Sequence, residues 1–123
     1  MGFLFKSIDH VQLAAPKGSE EKAREFYQGI LGFQEIEKPE ELKKNGGAWF
    51  QTESIQIHIG IEEPFGPAKK AHPAFSMNNL SAFINHLEDK NVNYQKDDKL
   101  PGADRIYIWD PFGNRIEILE WTN

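Results

Sequence analysis

Cysteine is absent from this 123-residue sequence, which excludes a disulfide scaffold, a thiolate metal site and a cysteine nucleophile. No apolar run approaches the ~20 residues of a membrane-spanning helix. The apolar opening Met1-Gly2-Phe3-Leu4-Phe5 is too short for a signal peptide, and Lys6 and Asp9 follow at once. A basic excess is also missing. Fourteen Lys and Arg against 19 Asp and Glu leave a formal net charge of −5, so no cationic stripe is available to release counterions from a phosphate backbone. These absences argue against nucleic acid and membrane as partners and lead to an expected cytoplasmic location. Gly-rich phosphate motifs and a serine nucleophile elbow are lacking too. What is present is core material: 39% apolar residues, including nine Phe, three Tyr and three Trp. That suits one globular domain.

The chain is written twice. Ser19 is placed to cap a first amphipathic helix, with Glu20 and Glu21 suited to the positive end of its dipole. Ala23, Phe26, Tyr27, Ile30 and Leu31 then fall on one helical face, and Gly32 ends it. A constant step carries Ala23, Phe26, Tyr27 and Ile30 onto Leu80, Phe83, Ile84 and Leu87, the stripe of a second helix capped by Asn78 or Asn79. Strand-like runs cover Ile8 to Ala15, Phe33 to Glu37, Ala48 to Thr52 and Ile55 to Ile61. After a Pro/Gly-bearing connector they resume at Pro73 to Met77, Val92 to Lys96, Arg105 to Trp109 and Arg115 to Trp121. The stretch Glu35 to Lys44 reads as a solvated loop. The order is β-α-β-β-β twice, an α+β fold of two modules, about 1–66 and 67–123, that share the single domain 1–123. Each module alone is small for an independent core, so they are expected to pair.

Side chains alternate sides along a strand, and this alternation isolates a polar face. In Ile55-Gln56-Ile57-His58-Ile59 the isoleucines share one side while Gln56 and His58 share the other. Val11 and Leu13 oppose His10 and Gln12; Phe75 and Met77 oppose His72; Ile116 and Ile118 oppose Glu117; Ile106 and Ile108 oppose Arg105 and Tyr107. His10 and His72 occupy equivalent places in the two modules. Two or three imidazoles plus a carboxylate suit a divalent ion such as Zn, Ni, Mn or Fe with open positions for substrate. The expected metal ligands are therefore His10, His72 and Glu117. His58 and Tyr107 are candidates for proton transfer, and Gln12, Gln56, Trp49 and Arg105 for contacts to substrate. Glu120 has the opposite parity and His86 lies on the outer side of the second helix, so both stand outside the candidate set.

The segments Ile8-Asp9-His10-Val11-Gln12-Leu13, Phe26-Tyr27…Leu31-Gly32-Phe33, Ala71-His72-Pro73-Ala74-Phe75 and Asp110-Pro111-Phe112-Gly113-Asn114-Arg115-Ile116-Glu117 resemble the vicinal oxygen chelate superfamily. That is the glyoxalase I, bleomycin-resistance and extradiol-dioxygenase group. The resemblance covers essentially the whole chain. It implies two βαβββ modules pairing into an eight-stranded, partly open barrel, a homodimer, and a metal held at the positions of His10, His72 and Glu117. The activity it implies is that of a metal-dependent lyase, isomerase, transferase or dioxygenase on a small oxygen-chelating substrate. Alternatives within the resemblance are a metal-free antibiotic-binding protein and a fosfomycin-type thiol transferase, for which Tyr107 matches but Arg105 replaces a serine. Glyoxalase I members use a further glutamate near Gln56-Ile57-His58, and here no acid occupies that face.

Overall fold

The computed structural model describes residues 2–122, and its chain divides into two compact units, Met1–Glu63 and Pro64–Asn123. The first unit contains β1 (Val11–Ala15), α1 (Glu20–Ala23), β2 (Gln34–Ile36), β3 (Ala48–Thr52) and β4 (Ile55–Ile61). Its sheet runs β1-β4-β3-β2, with β1 parallel to β4 and the other pairs antiparallel. The second contains β5 (Ala74–Ser76), α2 (Leu80–Asp89), β6 (Tyr94–Asp97), β7 (Ala103–Trp109) and β8 (Arg115–Trp121). Its sheet order β5-β8-β7-β6 repeats the same pattern, with β5 parallel to β8. Among the described residues the strands thus form two four-stranded mixed sheets, neither closed into a barrel.

Alternation fixes what each sheet buries. In the first unit Ala48, Phe50, Ile57 and Ile59 are fully buried on the helix side. Phe26 and Tyr27 join them, Tyr27 stacking on Phe50 with ring centres 5.4 Å apart. In the second, Ile106, Ile108, Ile116 and Ile118 are buried, as are Leu80 and Leu87 of α2. Each buried aliphatic side chain of this size stabilises the fold by about 1.5–3 kcal/mol relative to exposure.

Local structure departs from the sequence reading in four places. The first helix is α-helical only over Glu20–Ala23 and continues as a π-helical segment, Arg24–Gln28. There Gly29 N–H donates to Arg24 O and Leu31 N–H to Phe26 O, each a span of five residues. Widening the turn lets the consecutive Phe26 and Tyr27 both face the core. Ser19 makes no side-chain cap, and its Oγ is buried without a partner. The neighbouring Glu20 instead ties the helix to the segment before β3, its Oε2 accepting the Gly47 N–H at 2.8 Å. The expected strand at Phe33 to Glu37 is present as β2, where Glu35 pairs with Arg24 at 2.7 Å, but the rest of the expected loop 35–44 is partly ordered, Glu40–Asn45 forming a 3-10 helix. Finally, β1 begins at Val11 and β5 at Ala74, so His10 and His72 stand just ahead of their strands rather than within them.

α2 is capped as its sequence suggests. Asn79 Oδ1 accepts the Ala82 N–H at 3.2 Å with Asn79 in the left-handed region (φ 63°). Glu120, turned away from the polar face, adds its carboxylate oxygens to the N–H groups of Asn79 and Leu80 at 2.8 and 2.9 Å. Those two bonds, Leu80 first, hold its carboxyl below the usual range.

Candidate functional site

In the first unit the polar face is built around a three-ring stack. Register places Trp49 opposite His58, and their rings lie parallel with centres 3.8 Å apart. The His10 ring stacks on His58 at 4.0 Å. His58 is consequently buried at 5% exposure, and its Nε2 lies 3.1 Å from Gln56 Oε1. Burial, followed by the charge of neighbouring His10, pushes the His58 pKa down to about 4. His58 is therefore a neutral imidazole at pH 7. His10 keeps contact with solvent, and its Nδ1 is 2.9 Å from Asp9 Oδ1. A carboxylate on one ring nitrogen orients the ring and leaves Nε2 as its electron-pair donor.

Gln12 lies over Gly60 of β4, where a Cβ would sit 2.5 Å from Gln12 Nε2. Gln12, Gly60 and Trp49 line an open cavity of about 500 Å³ together with Lys38 and Leu42. Lys38 Nζ donates to the Gly46 carbonyl, which tethers this cation at the cavity edge.

The second unit brings together His72, Glu117, Arg105 and Tyr107, as parity requires. β8 sets Glu117 opposite Tyr107, while β5 sets it opposite Ala74. Glu117 N–H donates to Pro73 O, which draws the segment carrying His72 against β8. His72 Nε2 then lies 3.0 Å from Glu117 Oε1. Its Nδ1 is 2.7 Å from the Lys70 carbonyl oxygen and 3.1 Å from Arg115 Nη2. Arg105 Nη1 donates to Glu117 Oε2 at 3.3 Å, and its Nη2 to Asp97 at 3.1 Å. Tyr107 meets the His72 ring edge to face at 5.5 Å.

The donor types suit a divalent ion: two imidazoles whose Nδ1 atoms face an oxygen of Asp9 or Lys70, and a carboxylate beside one of them. Neither unit by itself gathers three such donors among the described residues. Within its own unit the first sheet collects His10, Gln12, Trp49, Gln56 and His58; the second collects His72, Arg105, Tyr107 and Glu117. Sequence reasoning missed Asp9, Lys38 and Arg115. Arg115 was within reach, because it shares the parity of Glu117; Lys38 lies outside any strand and offers no periodic signal.

Two βαβββ units, each with an apolar face under its helix and an imidazole-bearing polar face, define a glyoxalase-like α+β protein. Residues 7–118 match the Glyoxalase/Bleomycin resistance protein/Dioxygenase superfamily, and the chain belongs to that superfamily. It is 30% identical over 123 residues to Glyoxylase I 4 of Arabidopsis thaliana, spanning 91% of this chain and 69% of that protein. A structure from Bacillus anthracis assigned to the glyoxalase family is similar with a TM-score of 0.95 and 49% identity, over 98% of this chain and 99% of that one. The fosfomycin resistance protein FosX from Listeria monocytogenes has a TM-score of 0.76 at 17% identity, over 97% and 96% of the two chains. That last likeness is one of fold alone.

Proposed function

We propose that this protein is a divalent-metal-dependent enzyme acting on a small molecule that presents two neighbouring oxygens. The observation that carries the reading is the His72–Glu117 pair. A carbonyl holds the far nitrogen of the ring at 2.7 Å, and the near nitrogen and a carboxylate oxygen sit 3.0 Å apart. His72 and Glu117 are the proposed ligands, with His10 the third that the family resemblance implies. A bound ion would supply Lewis acidity to chelated oxygens, stabilising negative charge that develops there.

The protein's own groups then divide the remaining work. His58, neutral at physiological pH because burial disfavours its charge, is a weak proton acceptor and is suited instead to orient a substrate by hydrogen bonding. Tyr107 supplies a hydroxyl on the same face as Glu117, suited to orient a substrate oxygen. Gln56 is hydrogen-bonded to His58 and positions that ring. Trp49 and Gln12 offer an apolar wall and an amide to the body of the substrate.

Metal analysis of protein purified without a histidine tag tests the proposal. A stoichiometric ion is expected in the wild type and loss of it in His72→Ala. An equally low content in both proteins would overturn the metal reading. A metal-free binding function is favoured by a different observation, the cavity walled by Trp49 and Lys38 in the first unit. Calorimetric titration with aromatic amines and cationic glycopeptides in the presence of a chelator tests that alternative.

A further inference from the structure

Along β8, Arg115 and Glu117 point to the same side, and cross-strand register sets Arg115 opposite Trp109 and Glu117 opposite Tyr107. The two guanidinium groups of this face converge on one ring: Arg115 Cζ lies 4.9 Å and Arg105 Cζ 5.4 Å from the Tyr107 centroid. Both distances are within cation–π range. Their charges are treated differently. Arg105 is neutralised by Asp97 and Glu117, whereas the contacts described for Arg115 include no carboxylate. Its Nη2 donates to the Lys70 carbonyl at 2.9 Å and lies 3.1 Å from His72 Nδ1. The Nε atoms of Arg105 and Arg115 are both buried without a hydrogen-bond partner. A buried guanidinium N–H lacking an acceptor is costly, and such groups are ordinarily satisfied. With both Nε atoms closed off from solvent, an anion would be met by the Nη groups.

We infer that Arg115, supported by Arg105 and Tyr107, forms an anion subsite beside His72 and Glu117, and that the substrate carries a carboxylate, one oxygen of which chelates together with the neighbouring hydroxyl or carbonyl oxygen, as in 2-hydroxy and 2-oxo acids. Chelation rests on the metal-dependent reading above; the anion subsite rests on the arginine geometry alone. A carboxylate is favoured over a phosphonate because only one of the two cations is uncompensated. A planar monoanion also matches the guanidinium fork.

The probes are mandelate and its neutral amide, mandelamide, titrated calorimetrically into the full chain with and without Mn(II). Mandelate should bind wild type about ten-fold more tightly than mandelamide, the discrimination a charge-assisted bidentate contact provides. That ratio should collapse toward unity in Arg115→Gln and recover in part in Arg115→Lys, which keeps the charge but loses the fork. Affinity for Mn(II) should be the same in wild type and Arg115→Gln. Equal binding of the two probes, no binding of mandelate, or a ratio that survives in Arg115→Gln would each overturn the subsite. Tighter binding of the corresponding α-hydroxyphosphonate would overturn the carboxylate assignment. The two readings fail separately. A mandelate preference in a protein that takes up no Mn(II) removes the metal and keeps the subsite, and Mn(II) uptake without a preference does the reverse.

Discussion

His58 shows how a single side chain links burial to pH. Its folded-state pKa of about 4 lies below the ordinary imidazole value of 6.5, so between those pH values the unfolded chain takes up a proton that the folded chain refuses. Its stabilising contribution is complete above about pH 6.5 and disappears as pH falls through about 4, a loss of at most about 3 kcal/mol. The thermal midpoint of wild type should therefore fall faster from pH 6.5 to 4 than that of His58→Gln; parallel curves would contradict the assignment. Gly47 poses a steric question at the same scale. It adopts φ +85°, and a Cβ there would stand 2.0 Å from the Ile59 carbonyl oxygen. Gly47→Ala should cost about 3 kcal/mol or more, measured by denaturant unfolding, against about 1 kcal/mol for Glu20→Gln, which only weakens the bond to Gly47 N–H. The polar residues were legible because alternation along β4, β7 and β8 is strict. The Trp49–His58–His10 stack was not, since cross-strand register sets which rings meet and His10 lies outside its strand.

At the scale of the element, the two helices have equivalent apolar stripes but different ends. α2 starts at an asparagine whose side chain caps the Ala82 N–H and whose backbone is left-handed. Asn79→Ala loses both advantages and should lower stability by about 1–2 kcal/mol, whereas Asn79→Gly keeps the backbone conformation and should cost less. Equal losses would mean that the cap bond contributes nothing beyond backbone preference. The periodic stripe announced both helices, and β3, β4 and β8 run as their apolar alternation indicates. The π-helical segment was invisible because the pair Phe26-Tyr27 fits an ordinary helical face equally well. The core decides otherwise, by burying both rings. The 3-10 helix Glu40–Asn45 was hidden for the opposite reason. None of its residues is buried, so it leaves no hydrophobic period to read.

At the scale of the whole molecule, apolar surface remains to be accounted for. Phe3, Leu4, Phe5 and Ile8 are 66%, 87%, 91% and 79% exposed. Four large apolar side chains within six positions are more than the scattered exposure normal for a soluble chain. Phe3 and Phe5 pack edge to face on one another at 6.3 Å, which concentrates them into one patch. No helix among the described residues is long and apolar enough to cross a bilayer. We propose that a second copy of the chain covers it, in line with the homodimer that the family resemblance implies. A symmetric pair covers the same patch on both subunits. The net charge of −5 opposes association by repulsion, so burial of the patch must outweigh that term, and dimerisation should strengthen with salt as the charges are screened. Sedimentation equilibrium should give twice the chain mass for wild type. A shift toward monomer is expected in the double variant Phe3→Ser, Phe5→Ser, with its thermal midpoint becoming independent of concentration. A wild-type monomer at all concentrations and salt levels, or a double variant that dimerises as well as wild type, would show that the patch has another purpose.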